Sequence, residues 1–295
     1  MTLRRLLTLI SITAVALPCA AAAQRTPTLP VLRARAATPD AGIKVFVATG
    51  SVRLIAWDRD SIVVRGRVAA SDRFFFAHGT GKSSYKLGVE PRRIDGPQGP
   101  SDLVINVPRR ARLSVKAVDA PITAEGVGGW FYTVSGAIRL SGAAEDVEAE
   151  SISGDVDLDL ASMVLKARTG RGHMVVRGSP QDVDASTIGG PLDIATSTIL
   201  RGRFGSVTGN IRYAATPAAG SVFEFSDHAG TVDIVLPRSA SSRLELSSVS
   251  GAIANGFSQV RPASTAARTL TVRIGAGDAH MTVRTFKGGI RLLPQ

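Results

Sequence analysis

The densest set of side chains that could do chemistry is a group of five carboxylates near residue 154. Asp155, Asp157 and Asp159 alternate along one segment, and Glu148 and Glu150 alternate along the segment before it. Paired carboxylates serve as acid, base or nucleophile in glycosidic bond cleavage, so the set is compatible with a polysaccharide lyase or hydrolase. Four basic residues each follow one of these carboxylates by 18 residues, and they are Lys166, Arg168, His173 and Arg177. We favour structural ion pairs over catalysis, because charge networks also gather carboxylates.

Other chemistry finds less support in the sequence. The histidines His78, His173, His228 and His280 are far apart and have no cysteine partners. This spacing does not suit a metal site, and no calcium loop is present. The short 170–172 turn does not form a phosphate cradle, and no nucleophile motif occurs. We therefore expect no enzyme activity, no cofactor, no metal and no catalytic or cofactor-binding residues.

A short unit recurs through the second half of the chain. Each copy has a glycine followed by an alternating run, as where Val156, Leu158 and Leu160 follow Gly154. The intervals between successive glycines are 18, 18, 18, 19, 21 and 21 residues. The anchors are Gly136, Gly154, Gly172, Gly190, Gly209, Gly230 and Gly251, with Gly277 and Gly288 continuing less regularly and Gly50 opening an isolated copy.

Columns of similar residues run through these copies. The second and fourth residues after the glycine are apolar except Asn255, and the third before it is Ser or Thr except Asp227. Such columns predict coils stacked about 4.8 Å apart. The expected fold class is all-β, a parallel β-solenoid of about 18–21 residues per turn with an N-terminal β-hairpin cap. The alignment requires Asp157 to lie between Arg139 and Val175.

Opposite charges also recur one turn apart. Glu148 precedes Lys166, Glu150 precedes Arg168, and Asp159 precedes Arg177 by 18 residues each. Stacked opposite charges contribute roughly 0.2–1 kcal/mol each, and a one-residue slip would lose them. These pairs are expected to fix the register of the coils.

The N-terminus is typical of an export signal. Arg4 and Arg5 precede an apolar run over 6–17, and three alanines end at Ala23, after which we expect cleavage. The apolar run is shorter than the roughly 20 residues that span a bilayer. Cys19 is the only cysteine and lies within residues 1–23, so we expect a mature chain without disulfides. Lipid attachment at Cys19 is the alternative, for which Pro18 is a poor match.

The expected domain organisation is one continuous unit after a tether. The proline-containing stretch 24–41 is predicted to be a flexible linker, 42–102 an N-terminal β cap region, and 103–295 the repeat solenoid. Within the cap, alternating strands are expected at 42–48, 50–57 and 61–69, with 74–76 paired to 85–89. The three adjacent phenylalanines at 74–76 are interpreted as edge packing rather than as a binding site.

The formal net charge is +11, from 35 Lys and Arg against 24 Asp and Glu. A basic exported protein can attract an anionic envelope polymer, a glycan or an acidic protein partner. No basic run is interleaved with stacking aromatics, so no nucleic-acid partner is expected. No integral membrane span is expected after cleavage. Open ladder ends allow end-to-end self-association unless they are capped.

With these motifs in hand, the chain resembles the bacterial putative-adhesin family, domain of unknown function 4097. The similarity extends over about 42–292, and the stretches that carry it are 50–58, 107–108, 120–123, 134–140, 152–158, 236–237, 249–253, 275–277 and 288–292. The basic charge, the 169–172 turn and Asn255 depart from the family pattern. The resemblance implies an exported or membrane-tethered β-solenoid without an established catalytic site.

We therefore expect an exported, non-enzymatic protein, acting as an adhesin-like module or as a binding or scaffold protein of the cell envelope. Its expected location is the periplasm, the cell surface or the extracellular medium. A polysaccharide lyase or hydrolase acting on envelope or extracellular glycans is the alternative.

Overall fold

The computed structural model describes residues 26–79, 83–93, 96, 98–257 and 268–295, and within them it contains β-strands and no helix. None of the described segments therefore provides a helix able to cross a membrane. The predicted export signal at 1–23, including Cys19, lies outside the described residues.

The first seven strands form the N-terminal third of the molecule. Their alternating burial reflects the alternating apolar and polar residues of the sequence. They are β1 Thr28–Ala36, β2 Gly42–Trp57, β3 Ser61–Ala69, β4 Asp72–His78, β5 Ser84–Pro91, β6 Ser101–Pro108 and β7 Arg112–Asp119.

The remaining strands are shorter and mostly follow the repeat. They are β8 Ile122–Glu125, β9 Gly128–Thr133, β10 Ile138–Ala143, β11 Asp146–Ser151, β12 Val156–Ala161, β13 Val164–Thr169, β14 Met174–Gly178, β15 Asp182–Thr187, β16 Leu192–Ile194, β17 Arg201–Ser206, β18 Ile211–Ala214, β19 Val222–Asp227, β20 Val232–Leu236, β21 Ser242–Ser248, β22 Ile253–Asn255, β23 Thr269–Ile274, β24 Ala279–Thr285 and β25 Ile290–Pro294.

These strands form two sheets around one core, and each coil contributes one strand to each sheet. Sheet A contains, in spatial order, β1, β3, β6, the second half of β2, β8, the even strands β10 to β20, β25 and β22. Sheet B contains β4, β5, the first half of β2, β7, the odd strands β9 to β19, β24, β21 and β23. The all-β parallel solenoid is confirmed.

The predicted alignment of the coils is also confirmed. Asp157 pairs with Arg139 on one side and with Val175 on the other. The apolar columns are buried, with Val156, Leu158 and Leu160 inaccessible to solvent. Because the side-chain period of a strand is 2, this register is the one that buries the apolar residues of every coil.

The corner after each sheet B strand is built on the recurring glycine. A Cβ atom added to Gly172 would lie 2.0 Å from the carbonyl oxygen of Gly154 in the preceding coil. The hydroxyl column stands beside it: Ser151 Oγ accepts a hydrogen bond from Gly154 N at 2.8 Å and donates to Gly136 O at 3.3 Å. Close stacking at this corner thus requires the absence of a side chain.

The stretch 24–41, predicted as a flexible linker, instead contains β1. This strand pairs antiparallel with β3 over its whole length. Pro30 is tolerated because β1 is the outermost strand of sheet A, where a missing N–H removes no ladder bond. Arg35 then closes the end between the sheets, donating to Phe76 O at 2.8 Å.

The predicted boundary between cap and solenoid at 102 is also wrong. The strand β2 turns at Gly50 and forms a complete coil, which lies between β5 and β7 in sheet B and between β6 and β8 in sheet A. Gly50 therefore does not open an isolated copy. Capping of this end falls to β1, β3 and β4, of which β4 pairs antiparallel with β5 as predicted for 74–76 and 85–89.

At the other end, the coil of Gly251 does not stack on the coil of Gly230 as the repeat predicted. The coil of β24 and β25 lies between them, and β21 and β22 form the outer coil. Glycine spacing cannot distinguish these orders, since Gly288 fits the same corner. The strand β23 covers β21 antiparallel, and Asn255 lies in the outer coil opposite Leu292.

The interior is aliphatic in most coils and aromatic near the C-terminal end. Phe204, Phe223, Phe225 and Tyr213 are fully buried and lie in contact, with the rings of Phe204 and Phe225 stacked at 5.1 Å. The Tyr213 hydroxyl has no hydrogen-bond partner among the described residues. Burial raises the pKa of this hydroxyl above its ordinary value.

Candidate functional site

A group of aromatic and lysine side chains occupies the outer face of sheet B in its N-terminal half. Two adjacent rows of this face run across β4, β5, β2, β7 and β9. We call the group the aromatic–lysine surface, and its residues are Lys44, Phe46, Phe75, Lys86, Lys116, Trp130 and Tyr132.

Local alternation directs these side chains outward. In β2, Ile43 and Val45 are buried whereas Lys44 is exposed and Phe46 half-buried. The register then assembles residues that are distant in sequence, since Phe46 lies opposite Lys116, and Lys116 lies opposite Tyr132. Long side chains along neighbouring strands can therefore touch across the surface.

The aromatic side chains form defined contacts. Trp130 and Tyr132 are stacked, with ring centres 5.5 Å apart and planes inclined by 16°. Lys116 Nζ lies 5.7 Å from the centre of the Tyr132 ring, within the range of a cation–π interaction. The pair presents a broad, half-buried aromatic platform beside a cation.

The lysines lack counter-charges among the described residues. Lys44 lies directly opposite Lys86 on one side and opposite Ser114 on the other. Neither of these lysines nor Lys116 forms an ion pair with a described residue. Like charges opposite each other in a sheet destabilise it by roughly 0.2–1 kcal/mol, so this arrangement is not explained by stability.

The C-terminal half of the same outer face carries alternating charges that form ion pairs. Arg203 lies 3.7 Å from Asp184 and 3.8 Å from Glu224, and Arg284 lies 3.1 Å from Glu224. At the start of this stretch Arg168 lies 3.8 Å from Glu148. We call this group the ion-pair ladder, and its residues are Glu148, Arg168, Asp184, Arg203, Glu224 and Arg284.

A groove runs along the corner where each sheet A strand leads into the next sheet B strand. The cavity has a volume of about 860 Å³. Arg110 and Arg112 lie at one end and Gln181 at the other, with Ala143, Ala161 and Ser162 between them. Gly128 also lines this corner groove, two residues before Trp130, so the groove adjoins the aromatic–lysine surface.

Charges in the corner groove balance. Its lining contains Arg109, Arg110 and Arg112 together with Asp40, Glu145 and Asp146. Arg109 is engaged by Asp58 outside the groove, at 3.0 Å. The pKa of Asp40 lies below its ordinary value of 3.8, chiefly because Thr38 donates a hydrogen bond and further because the groove arginines attract the carboxylate.

The five carboxylates of the sequence do not converge. Glu148 and Glu150 lie in sheet B, whereas Asp157 and Asp159 lie in sheet A, whose outer face points away from the shared core in another direction. Asp155 accepts a hydrogen bond from His173 N at 2.9 Å in the corner before β14. The set is thus divided between two surfaces.

Their predicted ion pairs follow the register but take different partners. Glu148 lies opposite Lys166, yet the ion pair forms diagonally with Arg168. Arg177 lies opposite Asp159 but pairs with Asp157. An extended arginine side chain reaches across the pleat as easily as along the row, and alignment of Cα atoms does not decide between the two.

A small hollow of about 120 Å³ lies on sheet A beside Arg139, Asp155, Asp157 and His173. His173 Nε2 lies 2.6 Å from Asp193 Oδ2, and Asp157 forms an ion pair with Arg177. In the described part of the chain, no three His, Cys, Asp or Glu residues are grouped as metal ligands.

The aromatic–lysine surface was not predicted from the sequence. Its lysines are isolated in sequence, at 44, 86 and 116, and the sequence predicts edge packing for the phenylalanines at 74–76. Phe74 and Phe76 do pack against the core, but Phe75 lies on the outer row opposite Gly88. The alternation in β2 and β9 does predict that Lys44, Trp130 and Tyr132 point outward. The sequence does not predict that these residues share one surface, because that depends on the position of β2 between β5 and β7.

The fold and this surface define the class of protein: an all-β solenoid whose candidate site is an open face with an adjoining groove. Residues 96–293 match the family Toastrack DUF4097, and the chain belongs to that family. The resemblance found in the sequence motifs is thus confirmed. No functionally curated protein matches the sequence.

Several solved structures share the fold at low identity. A "putative lipid binding protein" from Parabacteroides distasonis ATCC 8503 is 12% identical, with 90% of this chain and 96% of that chain covered and a TM-score of 0.55. A "putative adhesin" from the same strain is 10% identical, with 90% and 97% covered and a TM-score of 0.53. A "putative adhesin" from Parabacteroides merdae ATCC 43184 is also 10% identical, with 90% and 96% covered and a TM-score of 0.52.

Proposed function

We propose that this protein is an exported, non-enzymatic, adhesin-like module that binds an anionic polymer of the cell envelope or its surroundings. The observation that carries the proposal is the juxtaposition of Lys44 and Lys86 beside an aromatic platform, without a counter-charge among the described residues. Family membership and the names of the structural neighbours agree with an adhesin-like role outside the cytoplasm.

The chemistry of the surface suits a flat, extended anion. Unpaired ammonium groups attract carboxylate or phosphate groups. Long-range attraction from the net charge, which is +9 once residues 1–23 with Arg4 and Arg5 are removed, raises the encounter rate. The stacked rings of Trp130 and Tyr132 offer an apolar platform to the C–H face of a sugar or to another planar group.

Cleavage of the bound polymer is the second candidate, favoured by the sheet A hollow beside Asp155, Asp157 and His173. Asp157 forms an ion pair with Arg177, and His173 Nε2 is hydrogen-bonded to Asp193, so both side chains already have partners within the protein. We therefore propose binding without turnover. Incubation with polygalacturonate followed by measurement of chain length tests this point, and shortening of the polymer would establish the alternative.

Binding is tested with the mature protein immobilised and polygalacturonate as the mobile polyanion. Replacing both Trp130 and Tyr132 with alanine should weaken binding about tenfold, since each aromatic contact contributes roughly 0.5–1.5 kcal/mol. Phe286→Ala is the matched control. Phe286 is also an exposed aromatic residue, at 45%, and it stacks on His228 far from the aromatic–lysine surface. Equal losses in both variants, or no binding by the native protein, would refute the proposal.

Single-stranded DNA forms a further arm of this experiment. Lysines interleaved with stacking aromatics can also bind single strands, and the fold creates this combination although the sequence lacks it. Binding of DNA in preference to polygalacturonate at the same ionic strength would contradict the proposed ligand.

A further inference from the structure

We propose that the C-terminal end of the solenoid joins two copies of this chain, with β23 of one copy paired antiparallel to β23 of the other. Open ladder ends can associate end to end, and the two ends of this molecule differ. Side chains cap the backbone edges at the N-terminal end, whereas the outer edge of β23 has no partner among the described residues. The pairing is independent of the proposed polymer binding.

The outermost strands at the N-terminal end are β1 in sheet A and β4 in sheet B. Ala37 N, directly after β1, donates to Asp60 O at 3.0 Å, so the odd residues of β1 bond to β3 and the even ones point outward. Gly79 N, directly after β4, donates to Ser84 O at 2.7 Å, so the even residues of β4 also point outward. These even residues form the free edges of the two sheets.

Every second outward carbonyl of both edges accepts a hydrogen bond from a side chain. The bonds run from Arg67 to Thr28 O at 3.2 Å, from Arg33 to Leu32 O at 2.9 Å, from Tyr85 to Ala36 O at 2.8 Å, from Arg92 to Asp72 O at 2.9 Å and from Arg35 to Phe76 O at 2.8 Å. Pro30 further lacks an outward N–H. An added strand would therefore meet no two consecutive free carbonyls at this end.

The outermost strand of sheet B at the C-terminal end is β23, and its edge is bare. Ser248 N donates to Arg268 O at 2.8 Å, so the even residues of β23 bond to β21. Thr269, Thr271 and Arg273 then direct their backbone N–H and C=O groups outward. Within the part of the chain that the structure describes, none of these groups is hydrogen-bonded and no further strand pairs with β23.

The composition of β23 also favours pairing. The strand has the sequence TLTVRI, with threonine, valine and isoleucine at four of its six positions and neither proline nor lysine. Such β-branched residues are typical of paired strands, whereas proline and lysine are typical of protected edges. Sheet A ends beside it in β22, which has only three residues and is too short to act as a template.

A second copy of this chain is the occupant that fits the edge. Two identical strands that pair antiparallel are related by a two-fold axis, and this symmetry closes the assembly at two copies. A head-to-tail contact would need β1 or β4 of the next molecule, whose outward carbonyls are already occupied. The capped end and the bare end together therefore predict a dimer rather than a filament.

The side chains of β23 specify a register for this pair. An axis at Thr271 places Thr271 opposite its own copy and Thr269 opposite Arg273 of the second copy. Opposed threonines stabilise a sheet, whereas an axis at Arg273 would oppose two arginines and shorten the pairing. On the core side, Leu270 would lie opposite Val272 of the second copy, so the two apolar layers continue into each other.

Sedimentation velocity of the full mature chain over a range of concentrations tests the pairing. The native protein should form dimers and nothing larger. Thr271→Pro removes an N–H that bonds to the second copy but not to β21, so it should raise the dimer dissociation constant about tenfold, since two symmetric hydrogen bonds are lost. Thermal unfolding of this variant shows whether its fold is intact.

Thr271→Lys tests the same edge without proline. It places two like charges at the axis and should weaken the dimer to a similar extent. Thr282→Lys is the matched control, because Thr282 lies opposite Glu245 in the same outer row as Thr271 but on the interior strand β24. This control variant should dimerise like the native protein.

Hydrogen exchange supplies a readout at the edge itself. The amide protons of Thr269, Thr271 and Arg273 should exchange more slowly as the dimer fraction rises. A native protein that stays monomeric, assemblies larger than two copies, or unchanged exchange at these three amides would overturn the proposal. Dimers that Thr271→Lys does not weaken, or that Thr282→Lys weakens equally, would overturn it as well, even if Thr271→Pro fails to fold.

Discussion

On the outer face of sheet B, Lys44 lies opposite Lys86 in one half, whereas Glu224 lies between Arg203 and Arg284 in the other. Both halves belong to the same sheet and cover one continuous hydrophobic core. In the ion-pair ladder each charge has an opposite neighbour, and the face is close to neutral. The aromatic–lysine surface accumulates positive charge, at a cost to the sheet that its own residues do not offset.

The difference shows which half folding explains and which half it does not. Exposed ion pairs contribute about 0–1 kcal/mol each, so the ladder adds modest stability and opposes register slips. The aromatic–lysine surface adds repulsion and leaves large rings half-exposed. A ligand that supplies negative charge and a flat apolar face would resolve both features.

The largest expected effect concerns the corner that both halves share. Gly172→Ala places a Cβ atom 2.0 Å from the carbonyl oxygen of Gly154, and backbone must shift to admit it. We expect the free energy of unfolding to fall by about 3 kcal/mol, at the upper end of overpacking costs. Chemical denaturation measures this change.

Gly205→Ala is the matched control, since the nearest atom to its added Cβ would be 3.7 Å away. A small effect at Gly205 and a large one at Gly172 would show that the corner, rather than glycine in general, determines stability. Tolerance of Gly172→Ala would contradict the close stacking on which the comparison of the two halves depends.

The second prediction concerns Asp227, a costly group within the ladder half. It occupies the hydroxyl column, is 4% exposed, and leaves Oδ2 without a partner among the described residues. Burial raises the pKa of Asp227 above the ordinary 3.8. Hydrogen bonds from backbone N–H groups of the turn lower this pKa, but the effect of burial is larger. Asp227→Ser should therefore stabilise the protein by about 1–2 kcal/mol at pH 8, the scale of a buried unpaired group.

The pH dependence follows from the direction of the shift. A raised folded-state pKa means that the folded protein holds the proton more tightly, so native stability falls as the pH rises from 3.8 through the folded pKa. The advantage of Asp227→Ser should be largest above the folded pKa and should shrink as the pH approaches 4. Denaturation at pH 8 and pH 4 gives the comparison, and a constant difference would exclude the explanation.

The third prediction compares the two halves directly. Replacing Lys44, Lys86 and Lys116 with glutamine should weaken polygalacturonate binding about tenfold, at roughly 0.5 kcal/mol per exposed charge pair, without loss of stability. Replacing Lys166, Arg203 and Arg284 with glutamine changes the net charge equally on the same face. This second triple variant should bind nearly as well as the native protein but unfold more easily.

Titration calorimetry and thermal unfolding of both triple variants distinguish local from global attraction. Equal weakening of binding in the two variants would mean that net charge alone attracts the polymer. The aromatic–lysine surface would then have no special role.

The smallest expected effect is Tyr213→Phe in the aromatic interior beneath the ladder half. The substitution removes a buried hydroxyl that has no partner among the described residues and keeps the ring contacts with Phe223 and Phe225. We expect a gain in stability of up to about 1 kcal/mol. Thermal unfolding measures it, with Tyr85→Phe as the control, since Tyr85 OH donates to Ala36 O at 2.8 Å and its loss should destabilise. Destabilisation by both variants would indicate a bonded Tyr213 hydroxyl.

Much of the fold could be read from residues alone, because a repeated glycine, a hydroxyl column and two apolar columns restrict neighbouring coils to one register. Val156, Leu158 and Leu160 identify their own strand and, with Gly154, predict the neighbours of Asp157. The candidate site was far less predictable. Its lysines carry no motif, and four carboxylates of the densest acidic set in the sequence lie on two different sheets.

The sequence by itself determined the solenoid, its register and the alternation of inner and outer side chains, since these depend on contacts between residues one repeat apart. Only the tertiary structure decided the order of coils at the two ends. At the N-terminal end the coil of β2 is nearer the middle of the stack than β5 and β6, and at the C-terminal end the coil of β24 and β25 is nearer the middle than β21 and β22. Equivalent coils present the same edge groups, so spacing cannot rank them. That order places Lys44 opposite Lys86 and places β2 beside β7, which in turn pairs with the Trp130 strand β9. It thereby creates the aromatic–lysine surface, for which we propose polymer binding.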